Sequence, residues 1–261
     1  MRRWSGVALA LRRPVDDQLQ SRLSTYLHPL AGRTLVWHAV RAIGTVAHRP
    51  LQVLLVSPEA GLSTGLDELH AEMIVPARRV GWAARVSERL SPSAERVLVI
   101  DAAASSIGPS LRALLDQPAP RALLDAGGRP IAAWLDRDQF VELAGQEPDL
   151  ERLVRACEPF DAADDAFLVQ DRAALARAAS IIQRRIVAEH LEAGVTFLVP
   201  EQVLVDIDVR IGTDTVVYPA VTLEGQTSIG AESVIGPGCR VIDSQIGSGV
   251  ELRGWNYVVN T

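Results

Sequence analysis

From Val199 to Val241 an aliphatic residue stands at every sixth position: Val199, Val205, Ile211, Val217, Leu223, Ile229, Ile235 and Val241. After one five-residue step the ladder resumes at Ile246, Leu252 and Val258, and glycine follows four of the rungs, at Gly212, Gly230, Gly236 and Gly247. A strand of an ordinary sandwich alternates with period two and gives no reason for aliphatics locked at six. The hexad predicts a solenoid instead. Each hexad is a short extended segment and a corner, the rung points inward, and stacked coils bury a continuous apolar column. Four residues beyond successive rungs stand Val209, Thr215, Val221, Thr227, Ser233 and Cys239, whose small or β-branched side chains suit the corners. At about three hexads per coil the tail makes about three coils.

Ahead of the repeat, short aliphatic runs alternate with amphipathic ones. Val7 to Leu11, Leu51 to Val56 and Val97 to Ile100 are apolar runs, and a polar stretch ends in Met73-Ile74-Val75. Leu35 to Val46, Gly81 to Leu90 and Ile107 to Leu115 have helical spacing. Strand and helix in turn predict an α/β domain, a mostly parallel sheet with flanking helices. Ligands of such sheets sit outside the carboxyl ends of the strands, after Leu11, Val56 and Ile100. Leu123-Leu124 and Ile131 to Leu135 read as two strands joined by the turn Asp125 to Gly128. Pro118, Pro120, Pro148 and Pro159 break this part of the chain into short pieces. Asp171 is the expected N-cap of a long helix with Leu175, Ala179, Ile182 and Ile186 on one face and Gly194 as its stop. The expected organisation is an α/β domain over residues 1–170, a linking helix over 171–194 and a β-helix over 195–261.

Composition narrows the function. The chain is 48% apolar and 22% charged, the balance of a soluble globular protein. A net charge of −6 with scattered arginines disfavours a nucleic-acid partner. Cys157 and Cys239 have neither CxxC nor Cys/His spacing, so no disulfide framework or zinc site is expected, and a reducing cytoplasm fits. No segment approaches transmembrane length, and Arg12-Arg13-Pro14 cuts the first apolar run too short for a signal peptide. All 26 basic residues are arginine, which excludes any mechanism that requires a lysine. His28, His38, His48, His70 and His190 share no ligand spacing and are expected at the surface or in packing. Asp164-Asp165, beside Asp161, reads as a solvated loop.

An α/β domain, a linking helix and a hexad β-helix in that order resemble the sugar-1-phosphate nucleotidyltransferases, above all the GlmU type, which joins N-acetylglucosamine-1-phosphate uridyltransferase to an acetyltransferase. Leu27-His28-Pro29-Leu30-Ala31-Gly32, Val36-Trp37-His38-Ala39-Val40, Tyr218-Pro219, Leu223-Glu224-Gly225 and Asp243-Ser244-Gln245-Ile246-Gly247 carry the resemblance. It implies a nucleotidyltransferase-like sheet followed by a short left-handed hexapeptide β-helix. It also implies a nucleotide or nucleotide sugar as ligand, Mg²⁺ as cofactor if the chain is active, and a homo-oligomer, with a trimer through the β-helix as one form.

The family's reaction is attack of a sugar phosphate on a nucleotide α-phosphorus, which positioning and charge neutralisation promote. Its glycine-rich phosphate loop corresponds here to Leu11-Arg12-Arg13-Pro14-Val15-Asp16-Asp17-Gln18-Leu19, without the glycines. Pro14 lacks an N–H donor, and Asp16 and Asp17 place negative charge where a triphosphate would lie. The base-reading motif corresponds to Arg79-Val80-Gly81-Trp82-Ala83, in which Gly81 alone matches and Trp82 takes up space meant for a nucleotide. Asp101 matches a metal-binding carboxylate, or serves as a turn cap, while the partnering asparagine is Gln170, whose amide is displaced by one C–C bond. Fewer residues separate Asp101 from Asp171 than in the family, and the coils of the acetyl-coenzyme A site would lie beyond Thr261. The expectation is a degenerate relative acting in binding or assembly. The alternative is an active nucleotidyltransferase in which Arg12, Arg13 or Arg79 replaces the lost groups.

Overall fold

A computed structural model describes residues 3–12, 18–46, 48–63, 65–76, 81–160 and 164–261. Arg13, Pro14, Val15, Asp16 and Asp17 of the first loop, Arg79 and Val80 of the second, and Asp161 lie outside the described residues. The chain divides into two units, Met1–His28 with Thr34–Ala178, and Pro29–Arg33 with Ala179–Thr261. In chain order the elements before the repeat are β1 (Trp4–Leu9), β2 (Pro29–Leu30), β3 (Arg33–Thr34), α1 (Leu35–Gly44), β4 (Val53–Val56), β5 (Ala71–Ile74), α2 (Trp82–Arg89), β6 (Arg96–Asp101) and α3 (Gly108–Leu115). They continue with β7 (Arg121–Leu124), β8 (Pro130–Asp136), α4 (Arg137–Ala144), α5 (Leu150–Arg155), β9 (Glu158–Phe160) and α6 (Arg172–Glu192).

The first unit is built on a seven-stranded sheet in the order β5-β4-β1-β6-β8-β7-β9. β8 alone runs against the others, pairing antiparallel with β6 and β7. β1 lies between β4 and β6, all three parallel, so Leu9, Val56 and Asp101 end together at one edge. Because successive side chains of a strand point to opposite faces, Val7, Leu9, Val97 and Val99 reach one core with Trp82, Val86, Phe140 and Leu153 of α2, α4 and α5. On the other face α1 packs directly on β1 over Gly6, where an added Cβ would stand 2.2 Å from Ile43 Cγ2. Burial on both faces is what the continuous apolar runs of β4 and β6 require.

One expectation for this unit changes. Asp165 is buried, not solvated: its carboxylate accepts from the Ser110 backbone N–H and hydroxyl, and its carbonyl accepts from Ser106 Oγ. It accepts from a donor in the first turn of α3. α6 starts at its expected cap, with Asp171 Oδ1 accepting from Ala174 N at 2.7 Å. Of the residues expected on one face of this helix, Ile182 and Ile186 are buried and Leu175 and Ala179 half-buried, and Ala178 and Val187 are buried beside them.

In the second unit the hexads form three parallel ladders, the faces of a β-helix. One stacks Thr196–Phe197, Val216–Val217, Val234–Ile235 and Glu251–Leu252; the next Leu204–Val205, Thr222–Glu224, Arg240–Ile242 and Tyr257–Val259; the third Arg210–Ile211, Ser228–Ile229 and Gln245–Ile246. The rungs from Val205 to Val241 are buried, as are the corner residues Thr215, Thr227, Ser233 and Cys239. Of the glycines after the rungs, Gly212, Gly230 and Gly236 are set by coil spacing. A Cβ on Gly212 would lie 2.4 Å from Ala231 N, and one on Gly230 2.4 Å from Ser248 N. The first rung is corrected: Phe197, not Val199, pairs with Val217, because the 3₁₀ turn Pro200–Gln202 adds residues to that coil. The motif at Pro29–Arg33 belongs to this unit. Ala31 O accepts from Ile207 N at 3.1 Å, and Arg33 Nε meets Asp208 Oδ2 at 2.5 Å.

Candidate functional site

The carboxyl ends of β1 and β6 open onto a cleft of about 460 Å³ whose lining includes Arg12, Tyr26, Trp82, Asp101, Glu147 and Asp149. It stands where an open α/β sheet places its ligands. Arg12 closely follows β1, and its backbone N donates to Tyr26 Oη at 3.0 Å, with Tyr26 fully buried beneath. From this anchored position the Arg12 guanidinium reaches Asp101, Nε to Oδ2 at 2.8 Å.

Asp101 ends β6. Its second oxygen, Oδ1, accepts from Ala103 N at 2.9 Å, which fixes the turn after the strand, and its side chain is only 11% exposed. The same turn carries the neighbouring segment: Ala103 O accepts from Val169 N at 3.0 Å, which brings Gln170 alongside. Gln170 Oε1 in turn accepts from Arg129 Nη1. Arg129 is held by Asp125, Nε to Oδ2 at 2.6 Å, and Asp125 also accepts from the backbone of Gly127 and Arg129 in the turn between β7 and β8.

Gly81 directly precedes Trp82 of the cleft wall. Its φ of 78°, in the left-handed region that glycine enters freely, starts α2. A Cβ there would lie 3.9 Å from Glu147 Oε1. The following residue, Trp82, is 2% exposed and packs its ring 6.3 Å from Phe140, so the indole forms part of the cleft wall. Asp101 lines the cleft and Gly81 adjoins its lining residue Trp82, while Arg13, Asp16, Asp17 and Arg79 lie outside the described residues.

A divalent cation needs several oxygen ligands in near-ideal geometry. Asp101 and Gln170 each already accept from a guanidinium, so neither oxygen is presented to a cation as the chain stands. This donor set does not fit Mg²⁺. The pairing of Arg129 with Gln170 joins residues 41 apart in sequence and had no sequence signal; the pairing of Arg12 with Asp101 was hinted at only by a cation after the first strand. Among the described residues no helix is long and apolar enough to cross a membrane.

No protein-family model matches the chain. The bifunctional protein GlmU of Lactobacillus delbrueckii subsp. bulgaricus is 51% identical over 84 residues, 32% of this chain and 18% of that protein. GlmU of Listeria welshimeri is 43% identical over 105 residues, 40% of this chain and 23% of that protein. The chain thus spans about a fifth of the length of these curated relatives. Among solved structures, a nucleotidyl transferase from Methanothermobacter thermautotrophicus superposes with a TM-score of 0.55 at 14% identity, covering 71% of this chain and 100% of that one. The 4-diphosphocytidyl-2C-methyl-D-erythritol synthase of Anaerococcus prevotii gives 0.50 at 11% identity, with 70% and 97% covered. At such identities the likeness is one of fold. The chain is GlmU-like in the sequence it shares with those relatives, and its α/β unit has the nucleotidyltransferase fold.

Proposed function

We propose that this chain is a degenerate relative of the sugar-1-phosphate uridylyltransferases, with N-acetylglucosamine 1-phosphate as the ancestral acceptor, and that it uses the fold for binding or assembly. The observation that carries this reading is the state of Asp101: one oxygen is paired with Arg12 at 2.8 Å and the other with the Ala103 N–H at 2.9 Å. The buried Trp82 in the cleft wall and the carboxylates Glu147 and Asp149 that line it beside the Arg12–Asp101 pair support the same view, because a nucleoside triphosphate would meet negative charge there. In this reading residues 1–170 are a nucleotidyltransferase-like binding domain, 171–194 a linking helix, and 195–261 a β-helix that supports self-association. Gly81 and Asp101 keep structural work, the start of α2 and the turn after β6.

Isothermal titration with UTP and with UDP-N-acetylglucosamine, each with and without Mg²⁺ and beside an Asp101→Ala variant, tests the reading. No heat at millimolar ligand is the expected outcome. Magnesium-dependent binding that the substitution abolishes would overturn it in favour of an active transferase and call for a pyrophosphate-release assay.

A further inference from the structure

Both positions that the resemblance makes metal ligands carry a guanidinium. Arg12 sits on Asp101, and Arg129 sits on the Gln170 amide oxygen. Neither arginine is a loose counter-ion. Arg12 is pinned through its backbone N–H to the buried Tyr26 hydroxyl, and Arg129 through its Nε to Asp125, whose side chain is 2% exposed. The two pairs belong to one local frame, because Ala103, which donates to Asp101, accepts from Val169, next to Gln170.

We propose that Arg12 and Arg129 stand in for the divalent cation, so that Asp101 and Gln170 serve as guanidinium partners and the cleft excludes divalent metal. This deepens the degenerate reading and rests on it. A guanidinium is charged at every accessible pH, planar, and weakly hydrated, so it pairs with a carboxylate at lower desolvation cost than a small dication that holds its waters tightly. A dication brought to Asp101 would also meet the Arg12 charge within the same ion pair, a repulsion that the partly buried setting screens poorly. The exclusion is therefore built from tethered charge, and the Arg12–Asp101 pair, the more buried of the two, is screened less than a surface pair.

Titration of Mn²⁺ into the full chain, with free ion counted by electron paramagnetic resonance, tests the proposal. The wild type and an Asp101→Asn variant are expected to bind no Mn²⁺ below millimolar concentration. An Arg12→Gln, Arg129→Gln double variant is expected to bind Mn²⁺ about 10- to 100-fold more tightly than the wild type. Adding Asp101→Asn to the double variant should remove that gain. A Mn²⁺ site in the wild type that Asp101→Asn abolishes would overturn the proposal, as would a double variant with unchanged circular dichroism that gains no affinity. Arg12→Gln alone reads the Asp101 half if the double variant does not fold. A parallel pyrophosphate-release assay with UTP and N-acetylglucosamine 1-phosphate, without divalent metal, separates the two ideas, since turnover there sinks the degenerate reading and leaves metal exclusion standing.

Discussion

At Gly6 the sequence tolerates no side chain, because α1 lies on β1 with Ile43 Cγ2 2.2 Å from the place a Cβ would occupy. Gly6→Ala is expected to cost about 1–3 kcal/mol by overpacking, and shortening Ile43 to alanine in the same chain should recover part of it; thermal unfolding of the three variants checks this. Two kinds of residue answer to solution conditions. Burial pushes the Cys157 thiol up to about 12, and Cys239 has no exposed surface. Since the thiolate is the nucleophile, neither should react with a thiol reagent at mildly alkaline pH until the chain is unfolded, when both should; a colorimetric thiol count in the two states decides it. Asp206 lies beneath Gly32 and beside further acids. Burial chiefly raises its carboxyl above the ordinary 3.8, the Gly225 N–H opposes this, and the charges of Glu224, Asp208 and Asp243 add to it. A carboxyl whose folded pKa exceeds its unfolded value gives stability that is complete below the unfolded pKa and lost as pH rises through the folded one. Asp206→Asn, which remains neutral and keeps an acceptor for Gly225, should therefore raise the unfolding midpoint at neutral pH, with the difference closing as pH falls below 3.8. A gap that persists in acid would show another cause.

The elements show which physics is legible in a sequence. The β-helix was legible because successive rungs, and the glycines Gly212, Gly230 and Gly236, answer to the neighbouring coil, so one constraint recurs with the period of the fold. Gly230→Ala brings a Cβ to 2.4 Å from Ser248 N and should destabilise the β-helix by about 1–3 kcal/mol. Gly247→Ala, whose Cβ would meet nothing nearer than Val250 Cγ2 at 3.9 Å, should cost less. Equal losses in thermal melts would mean that backbone entropy, not coil spacing, sets these glycines. The strands β1, β4 and β6 were legible as apolar runs, and the turn Asp125 to Gly128 as a hairpin. What escaped was long-range. Phe197 takes the first rung because a 3₁₀ turn lengthens its coil, and no hexad count foresees an insertion. Asp165 is buried because it reaches Ser110, 55 residues away. A cleft does lie at the strand ends, yet the pairing of its charges was not readable, since a loop alignment names residues without saying which partner a guanidinium finds.

For the whole molecule the open question is what covers its exposed apolar surface. Leu204 is 60% exposed, Tyr257 68% and Trp255 83%, all on the β-helix, and Leu204 and Tyr257 belong to one ladder. Beside Leu204 a groove of about 1070 Å³ runs along α6, lined by Ala179, Val187 and Leu191 as well as Leu204, so the apolar surface continues across it. Arg240 lies over the Tyr257 ring at 5.7 Å and pairs with Glu224 at 2.6 Å, which leaves this face with little unbalanced charge. An apolar patch of this kind marks an association surface, and a repeat of only about three coils gains most from neighbours that share its column. Self-association through the β-helix should therefore run through this face. Sedimentation equilibrium is expected to give a mass that is a multiple of 28.2 kDa, and Leu204→Ser with Tyr257→Ser should lower it toward a single chain while leaving the far-ultraviolet circular dichroism unchanged. A wild type that sediments as one chain across the micromolar range would refute association outright, and an oligomer indifferent to both substitutions would move the interface to another face.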